Sequence, residues 1–238
     1  MISCIADWNT GHMHYWEDSS RPSSMDAFLR ILRKLVFISS RKIVFDVDDV
    51  LWSFNARVCR RAGIDERKLT TYNTTECHLL TDGEKRTLLE RYSDCDSFMD
   101  IVWNDGTEKI HTLRKNGDRL YANSNCFGHE VAQVKGMQLM EGLGFDPDSM
   151  SLNVVEHGKR NKKEIGSDVD IFVDDNLHNV ACSQATLNIV PEKPWNLNPV
   201  ERNVVAGMDN VISMPDTNCV MAFLVALSEK NTRFLGLE

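Results

Sequence analysis

Apolar and polar positions along the chain form two kinds of segment, short apolar runs and longer stretches with helical spacing. The apolar runs are rich in β-branched and aromatic residues, which is typical of buried strands. These runs lie at residues 43–45, 119–122, 151–155, 169–173 and 185–190. Because helical segments alternate with the runs, the pattern predicts an α/β fold with a doubly wound parallel sheet.

The helical segments have apolar residues three and four positions apart, as in helices that bury one face. They lie at residues 25–38, 55–62, 81–92, 105–115, 129–141, 176–184 and 217–228. Three of them fall between the first two predicted strands, in a segment of roughly 60 residues that exceeds an ordinary connection. We therefore predict that residues 54–116 form a small helical cap, inserted in a core domain made of residues 42–53 and 117–238.

Residues 1–41 precede the first predicted strand and form an N-terminal extension of unclear role. Its helical segment, residues 25–38, has a basic face, which suits either a membrane-surface helix or a helix packed on the core. His12 and His14 have the spacing of a metal-binding pair, although the aromatic residues that follow favour ordinary packing. The sequence leaves the role of this extension open.

The composition is ordinary for a globular protein that folds in water, with 42% hydrophobic and 26% charged residues among 238. No apolar run approaches the ~20 residues that span a bilayer, and the N-terminus lacks the pattern of a secretory signal. Seven scattered cysteines without a CxxC spacing favour reduced thiols and a cytoplasmic location. A formal net charge of -8 argues against general nucleic-acid binding, and no membrane partner is expected.

Two of the predicted strands end in clustered carboxylates. Asp46, Asp48 and Asp49 follow the first predicted strand, while Asp174 and Asp175 follow the fourth. Parallel strands would bring both clusters to the carboxyl edge of the sheet, where α/β folds bind ligands. Like charges this close repel, so a cation or protons are needed to hold them. Oxygens of Asp46, Asp48 and Asp174 suit one Mg²⁺ ion, which prefers hard oxygen ligands.

The pattern Asp46-x-Asp48 after one strand, with Asp174-Asp175 after a later one, resembles the haloacid dehalogenase (HAD) superfamily of aspartate-nucleophile phosphohydrolases. The resemblance implies a Mg²⁺-dependent phosphomonoesterase in which Asp46 attacks phosphorus and forms an aspartyl phosphate. It implies that Asp48 protonates the leaving oxygen, activates water, and binds the metal through its backbone carbonyl. Asp175 would support the metal without binding it directly. The predicted cap has the position of the family's C1 cap.

The same resemblance implies a hydroxyl and a lysine that hold the phosphoryl oxygens. Ser124, followed by Asn125, matches the hydroxyl position after the second predicted strand, and Asn123 is the alternative if the register differs by one residue. The lysine should lie a short distance before the second acidic pair. Candidates at a suitable distance are Lys159, Lys162 and Lys163. Lys163 is preferred, although this basic run also suits a solvated helix face.

A narrower resemblance, to the cytosolic-type 5'(3')-deoxyribonucleotidases, rests on four short motifs. They are Tyr72-Asn73, Ser124-Asn125, Asp174-Asp175 and Pro194-Trp195-Asn196. The last is the most diagnostic, since chemistry shared by all HAD enzymes does not require it. This resemblance implies that a nucleoside monophosphate is hydrolysed to nucleoside and phosphate. Trp52, Phe54 and Tyr72 are then candidates for stacking against the base.

Other functions fit the same residues. An enzyme of the same superfamily could act on another small phosphomonoester or on a polynucleotide end, and the basic run at residues 159–163 keeps the latter alternative open. A non-catalytic binding module is disfavoured because both Asp46 and Asp48 are present. The sequence does not determine the oligomeric state, and a homodimer is compatible with it.

Overall fold

The computed structural model describes residues 1–7, 10–17, 23–99, 101–155 and 165–237. Its strands are β1 (Ile2–Asp7), β2 (His12–Glu17), β3 (Lys42–Asp46), β4 (Arg119–Cys126), β5 (Met150–Val154), β6 (Ile171–Val173), β7 (Leu187–Pro191) and β8 (Val211–Met214). Its α-helices are α1 (Ser23–Val36), α2 (Phe54–Ala62), α3 (Asp82–Tyr92), α4 (Ile110–Lys115), α5 (His129–Leu143), α6 (Leu177–Cys182), α7 (Pro199–Arg202) and α8 (Thr217–Ser228). Short 3₁₀ helices between β3 and β4 lie at Glu66–Lys68, Thr74–Glu76, Cys95–Phe98 and Thr107–Lys109.

These strands form one sheet in the order β2-β1-β8-β7-β6-β3-β4-β5. β2 pairs with β1 in the antiparallel sense, and the other neighbouring pairs are parallel. β3 lies inside the sheet between β6 and β4, and its register pairs Phe45 with Val173 and Ala122. The predicted α/β fold with a largely parallel sheet is confirmed. The carboxyl ends of β3 and β6 consequently lie side by side.

Residues 1–41 contribute strands to the sheet, which corrects the expectation that they precede its first strand. β1 pairs with β8, where Ile2 faces Ile212, and β2 extends this edge as a hairpin partner of β1. Polar residues interrupt the short apolar pattern of β1, which hides the strand in the sequence. α1 buries Leu32 and Leu35 and packs against α8. Of the two alternatives for this helix, the structure therefore shows the one packed on the core.

The segment after β7, which contains Pro194 and Pro199, includes regular structure. α7 begins at Pro199, a position in the first helical turn where the missing N–H of proline has no cost. β8 then runs between β7 and β1, and its residues are all buried. Without β8 the hairpin of β1 and β2 would have no place in the sheet.

Alternate side chains of the central strands face two separate cores. Ile43 and Phe45 of β3 join the larger core, which includes residues of α1 and α8. Val44 points into the smaller core, which includes residues of α6. Helices thus cover both faces of the sheet, as expected for parallel strands. Burial of a large apolar side chain stabilises the fold by about 1.5–3 kcal/mol, so the strand ends that carry the acidic residues are firmly held.

Residues 54–116 are mostly helical, as the sequence predicts. α2 and α3 pack on each other, and α3 begins with a capping box in which Thr81 and Glu84 exchange hydrogen bonds. α4 packs on α8 and β4, so the end of this segment joins the core. The division into cap and core domains stays a prediction. In the part of the chain described, no helix has both the length and the apolar character needed to cross a membrane.

Candidate active site

Three carboxylates converge where β3 and β6 end. Asp46 is the last residue of β3, and Asp174 and Asp175 directly follow β6. One oxygen from each of these side chains lies within 4.8 Å of the others. The three residues are only 3%, 0% and 1% exposed, respectively. Buried carboxylates this close repel one another strongly, so the group is suited to a bound cation.

The chemistry of this group fits Mg²⁺. Its donors are carboxylate oxygens alone, the ligands that a hard divalent cation prefers, whereas zinc sites are usually built with nitrogen and sulfur. The sequence assigned the metal to Asp46, Asp48 and Asp174, with Asp175 in support. The structure groups Asp175 with Asp46 and Asp174, and turns the carboxylate of Asp48 towards other partners. A metal contact from Asp48 would then rest on its backbone carbonyl, as the resemblance implies.

Asp174 is held by the start of α6. The backbone N–H of Asn176 donates to its Oδ1 at 2.8 Å, and the amide of Asn179 donates to its Oδ2 at 3.1 Å. Hydrogen bonds from neutral donors stabilise an ionised carboxylate without cancelling its charge. The start of α6 therefore fixes the orientation of the Asp174 carboxylate at the end of β6.

Asp175 is held by the Pro-Trp-Asn segment. The indole N–H of Trp195 donates to Asp175 Oδ2 at 2.6 Å, and the side-chain amide of Asn196 donates to the Asp175 backbone carbonyl at 2.9 Å. The same amide also donates to the carbonyl of Pro191 at the end of β7. Trp195 and Asn196 are 1% and 3% exposed, so this segment is part of the interior. Its side chains fix the second acidic pair to the sheet, which is a physical reason for the motif.

Asp48 accepts hydrogen bonds on both carboxylate oxygens. Trp52 donates its indole N–H to Oδ1 at 2.9 Å. Lys135 lies against Oδ2 at 2.5 Å, and the Ser124 hydroxyl is 3.3 Å from the same oxygen. The Asp48 side chain remains 25% exposed. A carboxylate with fixed orientation and open access is suited to transfer a proton to or from a bound molecule.

Lys135 is the site residue that the sequence reasoning missed. It lies on α5 and is 1% exposed, and its ammonium contacts Asp48, the Ser124 hydroxyl at 2.9 Å and the Asn125 carbonyl at 3.1 Å. Its ammonium also lies 4.9 Å from the centroid of the Phe98 ring. A buried lysine is rare unless its charge is paired. Lys135 therefore supplies positive charge directly beneath the carboxyl edge.

A signal for Lys135 exists in the sequence. It occupies the buried face of α5, one turn after Val131 and one turn before Leu139, both of which are fully buried core residues. A lysine in the middle of an apolar helical stripe points to a paired charge. The three lysines proposed to hold the phosphoryl oxygens, at residues 159–163, lie outside the described residues, so their assignment stays a prediction.

The residues expected to bind phosphate lie at the end of β4. Ser124 is fully buried beneath Asp48, where its hydroxyl accepts from Lys135. Asn125 faces a cavity, and its Oδ1 is buried with no hydrogen-bond partner among the described residues. Asn123 instead accepts a hydrogen bond from Asn153 on β5 at 3.0 Å. Asn125 is thus the member of this group that lines the cavity beside the acidic residues.

Asp49 occupies the position at which the backbone turns after Asp48. Its φ is 60°, in the left-handed region that favours glycine. Its carboxylate accepts from the backbone N–H of Asn55 at 2.9 Å and from the Asn55 side chain at 2.7 Å, which holds the first turn of α2. Burial raises the pKa of Asp49 to about 7. Asp49 therefore joins the end of β3 to the first turn of α2, which is a structural role.

A cavity of about 910 Å³ opens between the carboxyl edge of the sheet and the helical segment of residues 54–116. Its floor includes Asp46, Asp48 and Asp175, and its opposite wall includes Tyr72 and Arg86. The remaining lining residues are Asp49, Phe54, Asn55, Asn73, Thr74, Thr75, Leu89, Glu90, Tyr92, Ser93, Asn125, Phe127 and Val155. Pockets of this size hold small organic ligands. The cavity therefore joins the acidic site to a wall of aromatic and polar side chains.

The aromatic candidates for base stacking occupy different environments. Phe54 and Tyr72 line the cavity, and Phe54 also stacks on Phe98 with ring centroids 4.8 Å apart. Trp52 does not belong to the lining described, because it is 2% exposed and packs on Trp103. The structure thus keeps two of these three residues in reach of a ligand.

His12 and His14 do not join a metal-binding group among the described residues. Nδ1 of His12 lies 2.9 Å from the carbonyl oxygen of Arg233, and His14 lies 3.5 Å from Asp7. The first contact joins β2 to the C-terminal segment, and the second joins the two strands of the hairpin. The packing alternative is the one that fits.

No protein-family model matches the sequence, and no curated protein matches it either. Solved structures to which the chain is similar include a hydrolase from Pseudomonas syringae, which is 13% identical, with 78% of this chain and 97% of that chain covered and a TM-score of 0.46. A predicted phosphoglycolate phosphatase from Haemophilus somnus 129PT is 14% identical, with 78% and 98% covered and a TM-score of 0.48. A dehalogenase is 14% identical, with 75% and 94% covered and a TM-score of 0.43.

Similarity at this level does not indicate an activity. The fold class follows from the sheet order and the parallel register of the strands. Function must be inferred from the carboxylates, the lysine and the cavity.

Proposed function

We propose that the protein is a Mg²⁺-dependent phosphomonoesterase of the HAD superfamily that hydrolyses nucleoside monophosphates. The observation that carries the proposal is the placement of Asp46 beside Asp174 and Asp175, with Asp48 on the floor of the same cavity. Nucleophile, metal ligands and acid–base group are then all present at one strand edge.

In the proposed reaction, a carboxylate oxygen of Asp46 attacks the phosphorus of the substrate. The bond between phosphorus and the leaving oxygen breaks, and that oxygen takes a proton from the carboxylic acid of Asp48. Asp48 then accepts a proton from water, whose oxygen attacks the phosphorus of the aspartyl phosphate. The bond to Asp46 breaks, which releases inorganic phosphate and restores both carboxyl groups.

Asp46, Asp174 and Asp175 would hold the Mg²⁺ ion. When bound, the ion neutralises negative charge between the carboxylates and the phosphate dianion. Lys135 adds a fixed positive charge behind Asp48 and Ser124. Asn125 lines the cavity, where its side-chain NH₂ would donate to a phosphoryl oxygen. The cap-side wall excludes water from the reacting atoms.

The cavity wall supports a nucleoside as the leaving group. Phe54, Tyr72 and Phe127 supply aromatic surface on which a planar base can stack, at low cost in conformational entropy. Arg86 and Glu90, one turn apart on α3, place a donor and an acceptor on the same wall. Stacking with hydrogen bonding at the ring edge is a common way to bind a nucleobase. A ribose or deoxyribose would bridge this wall and the acidic floor.

The experiment is phosphate release from ribonucleoside and deoxyribonucleoside monophosphates, with Mg²⁺ and with chelator, for the wild type and Asp46→Asn. We expect chelator-sensitive release from the nucleotides and loss of turnover in the variant. If only p-nitrophenyl phosphate is hydrolysed, the substrate class is a small phosphomonoester other than a nucleotide. Preference for a 5'-phosphorylated oligonucleotide would indicate a polynucleotide end. If no ester releases phosphate, the proposed enzymatic activity is refuted and a non-catalytic binding module is favoured.

A further inference from the structure

We propose that Trp52 is a positioning residue, which orients the carboxylate of Asp48 for proton transfer through its indole N–H. This inference rests on the proposed function, because it assigns Trp52 a task in the same reaction. It also replaces the expectation that Trp52 stacks against the base. The structure places the Trp52 ring in the interior and its polar atom on Asp48.

The hydrogen bonds to Asp48 fix both of its oxygens. Trp52 holds Oδ1 at 2.9 Å, while Lys135 and Ser124 hold Oδ2. Donors on one oxygen alone would leave the carboxylate free to rotate about its last torsion, which is soft. A donor on the other oxygen removes that rotation. Trp52 is therefore the described residue that sets the plane of the Asp48 carboxylate.

The backbone brings Trp52 to this position. Residues after β3 form a tight turn in which the N–H groups of Leu51 and Trp52 both donate to the carbonyl of Val47, at 3.0 and 3.3 Å. Asp48 and Trp52 are also paired as an isolated bridge. The indole ring is consequently held next to the Asp48 side chain by the same turn that carries Asp48.

A second tryptophan holds the first. The rings of Trp52 and Trp103 lie 5.6 Å apart at an angle of 49°, and their backbones form an antiparallel bridge. Trp103 in turn lies against Gly142 of α5, where an added Cβ would come within 2.3 Å of Trp103 Cζ2. Close packing from α5 to Trp103 to Trp52 leaves the indole of Trp52 little freedom to leave Asp48.

The leaving group decides how much this orientation matters. Nitrophenolate departs without protonation, because nitrophenol is a comparatively strong acid. The leaving group derived from a weakly acidic phenol depends on a proton from Asp48 in the transition state. Loss of the Trp52 donor should therefore slow esters of weakly acidic phenols more than esters of acidic ones. A purely structural defect would slow both to the same extent.

The test measures kcat/KM of Trp52→Phe with phenyl phosphate and p-nitrophenyl phosphate. We expect a loss of about tenfold on phenyl phosphate and less than about threefold on p-nitrophenyl phosphate, in proportion to the need for proton transfer. Tyr15→Phe is the control, since it removes a hydrogen-bond donor from a partly buried aromatic side chain whose hydroxyl donates to the carbonyl of Leu235 in the C-terminal segment. It should affect the two esters equally.

An additional variant keeps the proposal open to refutation if Trp52→Phe fails to fold. Incorporation of 3-benzothienylalanine at position 52 preserves the shape of the indole and replaces its N–H with sulfur. In an Asp48→Asn background the same replacement should cause no further loss, because the two residues act as one unit. Equal losses on both esters, or an undiminished loss in the Asp48→Asn background, would overturn the inference. A wild type without activity on any ester would instead overturn the proposed function.

Discussion

Lys135→Met tests the residue that the sequence reasoning missed. Methionine fills a similar volume, so the change removes a buried positive charge and leaves the packing of α5 nearly intact. The lost contacts are those to Asp48, to the Ser124 hydroxyl and to the Asn125 carbonyl. All three partners belong to the proposed reaction site.

The expected size of the effect follows from the burial of the ammonium. A preorganised donor in a site shielded from water is worth about 10²–10³ in kcat, or roughly 2.7–4 kcal/mol. Lys135 is 1% exposed and its partner Asp48 is 25% exposed, so solvent weakens the pair only in part. We therefore expect kcat/KM for a phosphate ester to fall by about 10²-fold or more.

The assay is steady-state phosphate release, with thermal unfolding measured on the same samples to confirm the fold. Lys109→Met is the control, because Lys109 contacts Asn218 and lies outside the lining of the cavity described above. Lys162→Ala and Lys163→Ala are measured alongside. If Lys135→Met retains most of the rate while one of these two loses it, the role assigned to Lys135 is refuted.

Three further predictions concern stability, pH and substrate binding. Asp118→Asn should destabilise the fold by about 3–5 kcal/mol, measured by urea denaturation, because the buried charge of Arg41 would lose its partner. The side chains of both residues are 1% exposed or less. An unchanged urea midpoint would contradict this prediction. The ion pair with Lys68 lowers the pKa of Glu84 to about 2. The ionised Glu84 side chain therefore stabilises the fold at pH values above 4.5, the ordinary pKa of this group, and this stabilisation is lost as the pH falls towards 2. The melting-temperature gap between wild type and Glu84→Gln should accordingly narrow on acidification, and a constant gap would exclude this linkage. Arg86→Ala should raise KM for nucleotides about tenfold, which is the effect of losing one hydrogen bond that involves a charged group. KM for p-nitrophenyl phosphate should change little. Equal increases in KM for both substrates would argue against a contact between Arg86 and the base.

Local sequence patterns predicted much of the fold. The β-branched runs predicted β3, β4, β5, β6 and β7 near their observed positions, because burial on both faces leaves a clear apolar signature. β1 and β8 escaped prediction, since one has an interrupted apolar pattern and the other follows a proline-containing segment. Their place in the sheet depends on pairing between residues more than 200 positions apart, as for Ile2 and Ile212. No local window contains that information.

The site divides in the same way. The sequence by itself determined that Asp46 and Asp174 end two strands, and parallel pairing requires such ends to meet at one edge. Tertiary structure alone decided what surrounds them. Whether Trp52 faces a ligand or holds Asp48, and whether Lys135 faces solvent or the interior, depends on how helices pack on the sheet. Residue type and spacing specify a strand end, but the environment of a side chain is set by contacts distant in sequence.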